Sequence, residues 1–319
     1  MFNPVNEIAL ASIDKMTNAH SHLDRAYTIT KKDFKNSTIN KHLFEKWKIV
    51  QTIKKKSSQA DYFQRIMTAA EYQYDFGVKN ILTFIDIDEF AEERAIKAAL
   101  LAKEKLKRFY NVNLLIANQT LSGVTQPKIK KMIEKNMDNI DILGGLPRVE
   151  NFSKHIDTIF SWAKETGKRV HVHVDQLNTV KEHETEMLAI KTKEYGLYNQ
   201  VTAVHSISLA AHSKSYRKNI YQKCKDMEIS FVTCPTAWID HKRNEELNVN
   251  HNSITPVDEL IEHEITVAIG TDNIHDIYKP YSTGDLMLEA KFLIECLHFY
   301  DIQNIINILT VNGEKVLGL

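Results

Sequence analysis

Five residues carry the chemistry that this sequence advertises: His20, His22, His173, His205 and Asp272. Each falls at the C-terminal end of a short apolar run. His20 and His22 alternate, and in a strand residues two apart point to the same face. Two neutral imidazoles on one face, a third at His173 and the carboxylate of Asp272 make a hard, N/O-rich ligand set. Such a set suits one divalent metal, zinc or iron, with a position left open for water. Water on such a metal has its pKa lowered from about 15.7 to around 7, which yields hydroxide at neutral pH. A base must then take and hand on protons, and His205, one strand along from the third ligand, is the candidate. A lone strand-end histidine is usually a hydrogen-bonded core or surface residue, and a single HxH is a weak signal. Four histidines and an aspartate at the same end of four separate strands are much harder to reach by chance.

Positioning these residues requires a scaffold, and the alternation of apolar patterns describes one. Strand-like runs fall at Met16–His22, Val78–Asp86, Val112–Gln119, Ile140–Leu146, Arg169–Gln176, Val201–Ser206, Ile229–Cys234 and Ile265–Asp272. Several are β-branched and nearly continuous, as parallel strands covered on both faces are. Helical periodicity fills the gaps at Asp61–Phe76, Glu92–Arg108, Gln126–Asn136, Asn151–Glu165, Thr179–Tyr195, Ser213–Met227 and Pro256–Glu264. The tail, Thr283–Tyr300 and Asp301–Val316, reads as two closing helices. Eight such units predict an α/β fold, a (β/α)8 TIM barrel. No GxGxxG follows the first strand, which argues against a dinucleotide-binding sheet. The stretch Thr28–Lys56, between the first strand and its helix, reads as a partly helical site loop, and Trp238–Ser253 as another. In a barrel, chemistry sits where the C-terminal strand ends converge. Asp86, Asn118, Gln119, Asp175 and Gln176 also fall there.

Composition narrows the function. Forty-one basic and 41 acidic residues cancel, so nothing pulls in nucleic acid or an anionic membrane. Cys224, Cys234 and Cys296 are odd in number and lack CxxC spacing, so neither a disulfide framework nor a thiolate zinc site is expected. Cys234 reads as a small apolar filler, and His171 as barrel interior. The N-terminus has no basic, apolar leader and no run is long enough to span a bilayer. The expectation is a cytoplasmic, single-domain protein over residues 1–319, acting on a small molecule, with homo-oligomerisation left open.

The stretches Asn18-Ala-His-Ser-His-Leu-Asp24, Val170-His-Val-His-Val-Asp-Gln176, Val201-Thr-Ala-Val-His205 and Gly270-Thr-Asp-Asn-Ile-His-Asp276 resemble the amidohydrolase superfamily. Within it they are most similar to the group of cytosine deaminase and N-isopropylammelide amidohydrolase. The resemblance runs through the whole barrel. It implies that His20, His22, His173 and Asp272 hold the metal and that His205 orients and activates the attacking water. It also implies that Asp272 shuttles a proton and that Gln119 hydrogen-bonds a heterocycle. The fourth strand ends Ile142-Leu143-Gly144-Gly145 without the lysine of binuclear members, which implies one metal. Three departures matter. Gln176 stands where the deaminase has a glutamate, and a glutamine cannot act as a general acid. Asn273 replaces an acidic neighbour of the metal aspartate. With its first ligand at His20 and its end at Leu319, the chain is expected to lack the accessory β-sandwich.

The expected function is a mononuclear metal-dependent hydrolase. It would cleave a C–N bond on a small nitrogen heterocycle, by deamination or amine release, through metal-bound hydroxide. Gln119 and Gln176 would read ring edges, and Trp238 with Tyr278 would supply an aromatic wall. The alternatives are a cyclic-amide hydrolase of the same superfamily, or a catalytically impaired metal-binding barrel acting as a binding protein.

Overall fold

The computed structural model describes residues 2–237 and 254–319. Helix α1 (Pro4–Ser12) precedes strand β1 (Met16–Ser21), and helices α2 (Lys31–Lys35), α3 (Leu43–Lys56) and α4 (Gln59–Asp75) lead to β2 (Val78–Asp86). Strand and helix then alternate through α5 (Arg94–Tyr110), β3 (Asn113–Gln119), α6 (Pro127–Lys135), β4 (Leu143–Gly145), α7 (Phe152–Thr166) and β5 (Val170–Val174). They continue through α8 (Glu184–Tyr195), β6 (Val201–His205), α9 (Lys214–Asp226), β7 (Ser230–Thr233), α10 (Val257–Glu262) and β8 (Val267–Ile269). Three helices, α11 (Leu286–Leu297), α12 (Ile302–Leu309) and α13 (Val311–Leu317), follow. Every strand pair is parallel, in two sheets of order β1-β2-β3 and β4-β5-β6-β7-β8.

The strands are buried on both faces, so each needs an apolar partner on both sides. On one face they pack against the helices. On the other, Ala19, Leu82, Phe84, Ala117, Val204 and Val232 join Val316 and Leu317 of α13 in a second cluster. His171 belongs to this interior: it is buried, and its Nε2 lies 3.1 Å from Val316 O. Cys234 fills the same cluster, as its sequence context suggested.

Two single parallel bridges join the sheets, Ala117 to Ile142 and Ser21 to Asp272. Both depend on a glycine. A Cβ on Gly144 would sit 2.0 Å from Asn118 O. With none there, the Asn118 amide exchanges 3.0 Å hydrogen bonds with Gly144 N and O. A Cβ on Gly270 would lie 2.7 Å from His20 O. Its absence lets Thr271 N and Asp272 N both donate to that carbonyl at 3.0 Å.

Some expected elements are shorter than the pattern implied. β4 and β8 hold three residues each. Asp272 lies beyond β8, with φ of 56°, because the chain turns onto β1 there instead of extending. The expected helix over Asp301–Val316 is two, α12 and α13, broken at Thr310 with φ −124° and ψ −98°. The stretch Thr28–Lys56 is partly helical, as expected, through α2 and α3. Leu43 and Trp47 of α3 pack with Leu121, Leu146 and Tyr278 over the strand ends. The loop expected over Trp238–Ser253, and with it Trp238, lies outside the described residues. No helix among the described residues is long and apolar enough to cross a membrane.

Gly270→Ala should cost about 1–3 kcal/mol of unfolding free energy, because the methyl group meets backbone that cannot yield cheaply. Urea denaturation checks it. A variant as stable as the parent would show that the contact between the Gly270 segment and His20 is not tight.

Candidate metal centre

β1 delivers His20 from its interior and His22 one residue past its end, so both rings reach the same space, centroids 4.9 Å apart. β5 contributes His173, β6 ends on His205, and the turn after β8 brings Asp272. His22 Nε2 lies 3.1 Å from Asp272 Oδ1 and 3.5 Å from His173 Nε2. His20 Nε2 lies 3.5 Å from the same carboxylate oxygen. The His205 ring centroid is 5.4 Å from those of His20 and His173. All five side chains are buried. The structure thus brings together every ligand and base candidate that the sequence indicated.

The donor set fits a divalent cation. Neither ring nitrogen of His20 has a hydrogen-bond partner among the described residues, and a buried polar group in that state calls for one. His173 Nδ1 lies 2.9 Å from Gly145 O, which places its proton on Nδ1 and leaves the Nε2 lone pair facing the cluster. Potential ligand atoms of His20, His22 and His173 lie within 4.8 Å of one another, as do those of His20, His205 and Asp272. Protonation states agree. Burial, reinforced by neighbouring positive groups, holds His22 and His173 well below the usual histidine range. Burial likewise lowers His205 to about 3. Burial pushes the Asp272 carboxyl up, but the neighbouring imidazoles outweigh it and hold it well below the carboxylate range. Neutral imidazoles and an ionised carboxylate are the forms that bind metal.

Backbone strain marks the same place. His205 has φ of 75° and Asp272 of 56°. Non-glycine residues adopt this region at a cost of order 1–3 kcal/mol and keep it where the surroundings enforce it. At the two residues named, Thr255 Oγ1 donates to His205 O at 2.5 Å and His22 N to Asp272 O at 3.2 Å.

Above the cluster lies a pocket lined by Gln119, Gln176, Asn273, Arg25, Trp47 and Tyr278, with His22, His173 and Asp272 at its floor. Gln119, Gln176 and Tyr278 fall where the sequence put them. The remaining strand-end candidates do not reach it. Asn118 ties β3 to β4. Asp175 accepts from Thr185 N and Oγ1 and from Glu184 N, at the start of α8. Asp86 lies 3.3 Å from Lys54 Nζ of α3 and 3.9 Å from Arg25 Nη1. Sequence reasoning passed over Arg25 and Trp47. Arg25 follows the His20–Asp24 motif directly, and a cation at the end of an apolar strand was the available signal.

Glu289 of α11 braces the turn that follows β7. Its carboxylate accepts from Thr236 N at 2.9 Å and Thr236 Oγ1 at 2.7 Å, just beyond β7. Burial raises it to about 7, above the roughly 4.3 of a free glutamate. Its stabilising contribution is therefore complete below about pH 4 and lost as pH rises through 7. Comparing urea stability at pH 5 and pH 8, Glu289→Gln should lose less than the parent, by on the order of 2 kcal/mol. Identical pH dependence would refute the assignment.

No family model matches the chain. It is 39% identical over 249 residues to an uncharacterized protein of Haemophilus influenzae, covering 76% of this chain and 89% of that one. It is 25% identical over 310 residues to N-isopropylammelide isopropyl amidohydrolase of Pseudomonas sp., covering 94% of this chain and 73% of that enzyme. Its fold matches the crystal structure of 5-methylcytosine deaminase from Klebsiella pneumoniae liganded with 5-fluorocytosine. The TM-score is 0.85 at 24% identity, over 96% of this chain and 75% of that one. The converging ligand set and the parallel strands that deliver it agree with these likenesses, which are to a hydrolytic amidohydrolase in sequence and to a deaminase in fold.

Proposed function

We propose that this chain is a mononuclear metal-dependent hydrolase that cleaves a C–N bond on a small nitrogen heterocycle, releasing ammonia or an amine. The observation that carries the reading is the convergence of three imidazoles and one carboxylate, of which His22, His173 and Asp272 form the floor of a pocket walled by amide side chains. In this reading His20, His22, His173 and Asp272 hold the metal. The bridges at Ala117–Ile142 and Ser21–Asp272 are the seams of one closed (β/α)8 barrel, a single domain over residues 1–319.

A bound zinc or iron would supply Lewis acidity and lower the pKa of the attacking water. The protein groups do the rest. Tyr278 and Trp47 wall the pocket and hold the ring against the centre, while Gln119, Gln176 and Asn273 hydrogen-bond its edges. Asp272, held ionised, takes the proton of the attacking water and hands it to the departing nitrogen. His205 orients the attacking water, and as the C–O bond forms the ring C=N electron pair moves onto the ring nitrogen. The C–N bond then breaks, and the nitrogen leaves with that proton. Gln176 contributes no proton, so protonation of the leaving nitrogen falls to Asp272. That favours a substrate other than cytosine.

Protein shown to carry metal should release ammonia or amine from at least one ring in a panel of aminated pyrimidines, purines, pterins and triazines. Asp272→Asn should lower that kcat by about 10²-fold or more, with metal content measured on the same samples. Metal-loaded protein that releases nothing from the panel would overturn the reading.

A further inference from the structure

Two of the amides facing the pocket are anchored by neighbours of opposite kind. Gln119 Oε1 lies 3.3 Å from Arg25 Nη2. A guanidinium only donates, so Gln119 must turn its oxygen to Arg25 and its NH₂ away. The same Arg25 nitrogen also lies 2.7 Å from His22 Nδ1. Arg25 is itself confined, buried beside Asp86 and 5.6 Å from the centroid of the Tyr278 ring. Asn273 is the reverse case. Its Nδ2 donates to Asp276 Oδ2 at 2.5 Å, while Asp276 Oδ1 accepts from Tyr278 N at 2.8 Å and Lys279 N at 3.0 Å. A carboxylate so engaged accepts, so Asn273 keeps its NH₂ on Asp276 and has only Oδ1 to offer the pocket. Gln176 has no comparable anchor among the described residues.

We propose that Arg25 and Asp276 are positioning residues that set substrate polarity. The bound ring must present an acceptor, a carbonyl oxygen or unprotonated ring nitrogen, to Gln119, and an N–H donor to Asn273. The proposal rests on the small-heterocycle reading above. A donor placed against Gln119 would bury two opposed N–H groups, and an unmade hydrogen bond of that kind costs roughly tenfold or more in affinity.

Calorimetric titration of the full, metal-loaded chain with imidazol-2-one and with 2-aminoimidazole tests it. Run at pH 6, where 2-aminoimidazole is protonated, the comparison sets a ring with a carbonyl acceptor against a ring that offers donors only. The quantity read is the ratio of their affinities. Gln119→Met keeps the charge of the pocket. It should lower the preference for imidazol-2-one about tenfold or more, because a freely turning amide would have satisfied either ring. In an Arg25→Met background the same Gln119→Met change should leave the ratio nearly unmoved, since the anchor is already gone. Circular dichroism confirms that each variant is folded, and the single Gln119→Met comparison decides the case if Arg25→Met does not fold. An unchanged ratio in Gln119→Met, an equal effect in both backgrounds, or no binding of either ring to the parent overturns the proposal. Amine release is scored separately. Rings ordered as expected, with nothing released from any aminated ring, would overturn the hydrolase reading and leave the polarity assignment standing.

Discussion

The structure turns on one close backbone approach. The Gly270–Asp272 turn lies directly on β1, and the single carbonyl of His20 accepts both Thr271 N and Asp272 N. His22 N answers by donating to Asp272 O. Buried Asn18 locks the junction: its Oδ1 accepts from Thr271 N and His20 N, while its Nδ2 donates to Thr271 Oγ1 and Gln73 Oε1. Residues some 250 positions apart thereby become neighbours, and three of the four metal-ligand candidates are placed by this junction alone. Ligand geometry of this kind must be held to about half an ångström, which rigid elements do better than loops. Here a strand, a tight turn and a glycine without a Cβ do it together.

Around that junction the fold buries an unusual number of charges. Asp24, Arg25, Lys54, Asp86 and Asp88 are all nearly inaccessible. Lys54 pairs with both Asp86 and Asp88, and Asp24 accepts from Asp86 N at 3.0 Å. Burial, with Asp86 adding to it, raises Asp24 to about 7. Buried ion pairs return little net stability, but losing one partner is costly. Their effect here is positional. Lys54 fastens the C-terminal end of α3, whose other end carries Leu43 and Trp47 over the pocket, and Asp86 holds Arg25 against Gln119.

Much of this was legible in the sequence because it is periodic or local. The β-branched run at Val78–Asp86 is a strand to the residue, and the one expected over Arg169–Gln176 is a strand over Val170–Val174. His20, His22, His173, His205 and Asp272 announce themselves by falling at the ends of such runs. What escaped depends on contacts distant in sequence. Three-residue β8 stops early because Gly270 meets the backbone of β1 and the chain turns there, which no local pattern records. Arg25 reads as an ordinary surface cation until Asp86 and Gln119, 61 and 94 positions away, close around it. Trp47 sits in an amphipathic segment whose apolar face gains a partner only when Leu121, Leu146 and Tyr278 are brought beneath it. Glu289 looks like a helical surface residue, and only the end of β7 reveals its burial.

The claim on which everything else rests is that these five side chains form a one-metal centre. Elemental analysis of protein purified without chelator, beside His173→Ala with its fold confirmed by circular dichroism, tests it most directly. About one zinc or iron per chain, lost in His173→Ala, is the predicted result. Metal absent from the parent protein even after reconstitution, or fully retained in His173→Ala, would contradict it.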